Sequence, residues 1–168
     1  ELSGLYNRHD LKERLRHCLV YGFYPELFSI ENTKDKTKYL SELSRSYLYK
    51  DVLELSSIKY SRKIQDLLRL LAFQVGSLVS VTEIGTKLGM SKDTVNNYID
   101  LLEKSFVLFR LSGFSRNLRK EITKMDKIYF YDLGVRNTII DNLKPFEIRD
   151  DQGVLWENFL IAERKKLL

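Results

Sequence analysis

Eight residues in the second half of the chain are of the types that bind a polyanion. Lys92, Asn96 and Asn97 fall on the N-terminal half of an expected helix opened by Ser91. An asparagine amide can pair with two polar atoms on the major-groove edge of adenine, and a lysine can reach guanine or a phosphate. Arg110, Arg116, Arg119, Lys120 and Lys124 lie on or beside residues 113–126, a polar, basic stretch that joins two apolar runs. Between Phe106 and Arg136 seven basic residues stand against three acids, which accounts for four of the chain's five net positive charges. Positive charge concentrated on a long connection is what a phosphate backbone attracts. Two features weigh on the other side. Asp93 and Asp100 put negative charge on the same helix, and a charged loop is ordinarily a solvated surface.

Other chemistry is weakly represented. His9, His17 and Cys18 are the only histidines and cysteine. Structural zinc needs about four convergent ligands, whereas these three share one short amphipathic helix, so no metal site is expected and Cys18 reads as a small core residue. Glu157 and Glu163, six apart on a terminal helix, read as surface carboxylates. Asp132 follows an apolar run and precedes Arg136 and Asn137. Capping of a helix by Asp132 with an internal ion pair to Arg136 is preferred to an anion contact by Arg136. Ten tyrosines and nine phenylalanines are present; Tyr21, Phe23, Tyr24, Tyr39, Tyr47 and Tyr49 could stack on bases, but core packing is the preferred use. No Gly-x-x-x-x-Gly-Lys-Ser/Thr occurs, so nothing cradles a nucleotide triphosphate in the P-loop manner. This chain alone is not expected to be an enzyme.

The elements that must position the basic residues follow from patterning. Leu11, Leu15, Cys18 and Leu19 mark a first helix, broken at Tyr21-Gly22-Phe23-Tyr24-Pro25. The lysine-rich stretch 31–38 reads as a loop, followed by a long helix from Leu40 to Leu55. Ser61 opens a helix with Ile64, Leu67, Leu68, Leu71 and Val75 on one face, and Gly76 closes it. Thr82 caps a short helix, Gly89-Met90 forms a turn, and Ser91 caps a second helix through Val95, Tyr98, Ile99 and Leu102. This is the helix-turn-helix pattern. Residues 106–111 and 127–132 read as strands, with 113–126 as a wing between them. A last helix carries Leu155, Phe159, Leu160 and Ala162.

The 168 residues suit one domain or two small ones. An apolar share of 43% and a charged share of 30% fit a globular protein. A single cysteine excludes an internal disulfide framework and suits a reducing, cytoplasmic setting. No apolar run approaches the roughly 20 residues that span a bilayer. The chain begins at Glu1 without a signal-peptide pattern and is expected to be a piece of a longer product.

Six segments taken in order carry a resemblance: residues 21–26 (Tyr-Gly-Phe-Tyr-Pro-Glu), 47–52 (Tyr-Leu-Tyr-Lys-Asp-Val), the helix-turn-helix, 114–120, 129–137 and 156–160. From about Leu11 onward the chain resembles the C-terminal domain of unknown function found behind AAA-type ATPase modules in bacterial and archaeal proteins. The resemblance implies a winged-helix segment within a parent that is an ATPase suspected of acting on DNA. It places ATP and Mg in a module before Glu1, leaving this chain without a cofactor. It also places an endonuclease-like acidic metal site beyond Leu168.

The resulting expectation is a mainly α protein with a small β-wing. A helical region (1–77) precedes a winged helix-turn-helix (78–140), then a linker and C-terminal helix (141–168). DNA and the chain's own ATPase module are the expected partners, with no membrane. Two functions stay open: DNA binding through the basic wing, or a protein-interaction module that docks on the ATPase domain or a neighbouring subunit.

Overall fold

A computed structural model describes residues 7–46, 61–113 and 125–167. The protein is mainly helical with a small two-stranded antiparallel sheet. Its α-helices are α1 (Arg8–Tyr21), α2 (Glu26–Ser29), α3 (Thr33–Arg45), α4 (Ser61–Phe73), α5 (Val81–Leu88), α6 (Lys92–Lys104), α7 (Leu133–Ile139) and α8 (Gln152–Lys166). The strands β1 (Leu108–Leu111) and β2 (Lys127–Phe130) lie between α6 and α7. They pair from Leu108 opposite Phe130 to Leu111 opposite Lys127.

Two apolar clusters organise these elements. Leu67, Leu71, Ile84, Val95, Ile99 and Leu102 pack under the sheet residues Leu108, Ile128 and Phe130, so α4 shares its core with α5, α6 and the strands. Leu19, Leu27, Leu40, Leu133 and Leu155 form the second cluster, which ties α1 and α3 to α7 and α8.

Short polar signals set the helix boundaries. Asn7 accepts from the His9 and Asp10 amides, and Asn32 accepts from the Lys34 amide. The lysine-rich stretch read as a loop is therefore the first turns of α3. Lys36 occupies a position on the buried face with Leu40 and Ser44, where its aliphatic stem does the work of an apolar residue. Of the long helix expected to reach Leu55, the part up to Arg45 is α3, and residues 47–60 lie outside the described residues.

The segments 21–23 and 132–134 meet at a close backbone crossing. Gly22 has φ +85° and its amide donates to the Cys18 carbonyl, ending α1. Asp132 caps α7 by accepting from the Val135 amide (3.0 Å), and its other oxygen accepts from the Phe23 amide (2.8 Å). A Cβ at Gly22 would overlap that carboxylate, and one at Gly134 would overlap the Tyr21 carbonyl. Only glycine admits the two chains at this separation.

The expected capping by Asp132 is present, but the expected ion pair with Arg136 is not. Arg136 turns into the interior, donating from Nε to the Ala72 carbonyl (2.8 Å) and from a terminal nitrogen to Asp151 (2.5 Å). Arg149 reaches the same carboxylate through two nitrogens at 2.7 and 2.8 Å. The Asn137 side-chain oxygen accepts from both arginines, and its side-chain Nδ2 donates to the Leu19 and Val20 carbonyls at the end of α1. Asp132 already spends its oxygens on backbone amides, so the arginine finds its acid on the start of α8.

The side chain of Asn158 on α8 acts as a short extra strand. It accepts from the Phe130 amide (2.8 Å) and donates to the Phe130 carbonyl (2.9 Å), satisfying a buried edge of β2. Its neighbour Glu157 accepts from the Tyr129 hydroxyl (2.6 Å) and Lys127 (3.0 Å). Hydrogen bonding from Tyr129 holds that carboxyl below the usual range, while burial and then Glu157 push the Tyr129 phenol up.

Candidate nucleic-acid interface

Helices α5 and α6 are joined by a turn whose geometry follows from four residues. Gly89 adopts the left-handed conformation (φ 60°, ψ 46°) that ends α5, with its amide donating back to the last turn of α5. Lys63 of α4 donates to the Gly89 carbonyl at 2.7 Å, tying the turn to the helix beneath. Gly85 lies against the Met90 carbonyl, where a Cβ would have no room. Ser91 opens α6 by accepting from the Thr94 amide at 3.1 Å. The cap of α5 is Ser80, which accepts from the Glu83 amide, and not Thr82 as expected. Thr82 lies inside the first turn.

With Val95, Ile99 and Leu102 turned into the core, the opposite side of α6 faces out. Lys92, Asp93 and Asn97 are exposed and Asn96 is half-buried. Among the described residues, the side chains of Lys92, Asn96 and Asn97 have no hydrogen-bond partner. A cleft of about 460 Å³ runs between the start of α5, α6 and the strands. Lys92, Asn96 and Arg110 all line it, together with Thr82, Met125 and Asp126. Asn97 is not among the residues lining it.

Arg110 is placed differently from a free cation. Its backbone amide and Nε donate to the two oxygens of Glu103, at 2.7 and 2.8 Å, and a terminal nitrogen pairs with Asp100. Burial opposes its charge, but the hydrogen bonds it donates to these two acids outweigh burial and push its pKa above the usual value. The pairing has a second effect. Asp100, an acid on the outward helix, is compensated by Arg110 and Asp93 is left as the exposed acid of its N-terminal half.

Arg116, Arg119, Lys120 and Lys124 lie outside the described residues. The base of their connection is described: Ser112 donates to Asp126 at 2.7 Å, closing the ribbon beyond Leu111 and Lys127. Residues 76–79 run along the free edge of β2, with the Gly76 amide on Ile128, the Val79 amide on Asp126 and an antiparallel bridge from Leu78 to Lys127.

The remaining candidates have structural partners. His17 meets Lys36, and Cys18 is buried. Glu163 pairs with Lys166 and Glu157 with Lys127. Among the described residues, no three His, Cys, Asp or Glu side chains converge on a point that could hold a metal ion, and no helix is long and apolar enough to cross a membrane. Sequence reasoning missed Glu103, the acid that fixes Arg110; its place seven residues upstream, across a helix-to-strand turn, gives no periodic signal.

Comparison with known proteins adds relatives at low identity. Over 168 aligned residues the chain is 24% identical to the uncharacterised protein MJ1544 of Methanocaldococcus jannaschii, covering 93% of this chain and 38% of that protein. A second M. jannaschii protein, the uncharacterised MJ1637, is 28% identical over 77% of this chain and 27% of its own length. An uncharacterised Haemophilus influenzae protein is 24% identical over 71% of this chain and 31% of its own length. The chain thus spans about a third of the relatives it matches. No solved structure matches it. A family model, the domain of unknown function DUF8612, matches residues 12–145, from within α1 through α7, and the chain therefore belongs to that family.

Proposed function

We propose that this chain is a non-catalytic, DNA-contacting winged-helix region of a larger AAA-type ATPase. The observation that carries the reading is the α5–α6 pair, with the N-terminal half of α6 turned outward beside an antiparallel ribbon. In this arrangement Lys92 and Asn96 line an open cleft and Asp100 is compensated by Arg110. The bridge from Leu78 to β2 supports the winged-helix assignment, since it braces the ribbon against the start of α5. Lys92 approaches a phosphate or guanine, and Asn96 and Asn97 approach base edges. Arg116, Arg119, Lys120 and Lys124 meet the backbone from the wing, while Arg110 orients the base of the ribbon. The ATPase module belongs to the parent; relatives roughly two and a half times as long have room for one.

Duplex binding by substituted proteins tests the assignment of roles. Lys92→Ala should weaken binding evenly across sequences and reduce the salt slope by about 1. Asn96→Ala should instead flatten any preference between sequences, by about 1–3 kcal/mol at the position read. If both variants bind duplex as the native chain does, α6 is not the reading helix.

A second reading is favoured by one feature. Leu111 and Leu160 are exposed beside an apolar groove of about 360 Å³ whose rim carries Arg164 and Lys165. A docking module would present such a groove to its ATPase domain or a partner subunit. Loss of binding to the parent's ATPase module on Leu160→Glu, with duplex binding absent, would select this reading.

A further inference from the structure

A cavity lies between α1, α2, α3 and the turn before α8. It measures about 580 Å³, within the range of small-molecule sites. Its walls are half apolar, with Val20, Tyr21, Leu27, Phe28 and Phe146 among them, and half charged or imidazole side chains. Arg14, Arg16 and Lys36 are the cations that line it, and Lys36 is the buried one of the three. Lys36 is only 9% exposed, yet among the described residues no carboxylate lies within 4.0 Å of its ammonium. Its hydrogen-bond partner is His17 Nε2 at 2.8 Å, and it stands 5.7 Å from the centre of the Tyr21 ring.

None of these neighbours neutralises it. Burial, then Lys36 itself, lowers the His17 pKa, so the imidazole is neutral and accepts the bond. Burial raises the nearby Cys18 thiol, which stays protonated. The two acids that line the cavity, Glu13 and Glu147, both face Arg16, at 2.7 and 3.5 Å. A buried charge without a countercharge is costly, and burial lowers the Lys36 pKa accordingly. An anionic group entering the cavity removes that cost and finds free ammonium N–H donors.

We infer that this cavity binds a small molecule with one anionic head, carboxylate or phosphate, and an apolar body. The head pairs with Lys36 and the body lies against Tyr21, Leu27 and Phe28. The site is independent of the DNA-binding proposal.

The test is calorimetric titration of the whole 168-residue chain with octanoate, octyl phosphate and octanol. At least one anion should bind with submillimolar affinity and octanol more weakly. The tighter of the two anions identifies the head. Lys36→Met should weaken the anions about tenfold or more and leave octanol unchanged, with circular dichroism reporting the fold. Phe28→Glu, at a position 62% exposed on the rim, gives an independent arm: it repels both anions without touching the interior. Anion binding that is equal in the native chain and in the folded variants would overturn the inference. So would the absence of anion binding at millimolar concentration.

Discussion

Asp151 sits between two guanidinium groups that water hardly reaches, the Arg136 side chain being 3% exposed and the Arg149 side chain fully buried. Burial works against its ionisation, but hydrogen bonds from Arg149 and Arg136 prevail and hold its pKa at about 2, against an ordinary 3.8. A carboxyl depressed in the folded state stabilises that state above its unfolded pKa, and the contribution fades as pH falls toward the folded value. Stability should therefore drop by about 2 kcal/mol between pH 4 and pH 2 from this residue alone, read by urea titration across that window. Asp151→Asn should remove this pH dependence and cost roughly 3–5 kcal/mol at neutral pH, because it strands two buried cations. Unchanged urea midpoints in the variant would mean the arginines find other acids. At this scale the sequence was only partly legible. Asp132 declared itself as a cap by following an apolar run, whereas Arg136 looked like its partner from a spacing of four, and only the tertiary path of residues 140–151 brings Asp151 closer.

Among the elements, α8 and the crossing at Gly22 and Gly134 hold the two clusters together. Asn158 closes the edge of β2, so Asn158→Leu should strand the Phe130 amide and carbonyl at roughly 1–3 kcal/mol for each group. Gly134→Ala should cost roughly 1–3 kcal/mol by forcing its methyl into the Tyr21 carbonyl. Thermal denaturation followed by circular dichroism reads both. Losses well below 1 kcal/mol would show that α8 or α1 shifts freely to accommodate the change. The segments that carry the family resemblance, around residues 21–26, 129–137 and 156–160, thus do structural work wherever they are described. Elements with strong periodicity were legible from sequence: α1, α4, α6 and both strands stand where the patterning put them. The start of α3 was not, because Lys36 fills an inward position that binary patterning assigns to an apolar residue. The Ser80 cap was missed because Thr82 offers the same chemistry two residues later.

For the whole molecule, the question is where the net charge of +5 is used. Arg110, Arg136 and Arg149 are all committed to acids inside the fold, so the sequence count of basic residues near the wing overstates what a polyanion could meet. The DNA-binding proposal therefore rests on Lys92 and on Arg116, Arg119, Lys120 and Lys124, the last four outside the described residues. If these meet phosphates, binding must follow counterion release. A titration of the native chain against duplex DNA over a range of salt tests this most directly. With about four phosphate contacts from the wing, log affinity should fall against log salt with a slope near −3.6. Alanine at positions 116, 119, 120 and 124 together should flatten it. A native chain that binds no duplex at low salt, or a quadruple variant that keeps the full slope, would contradict the account.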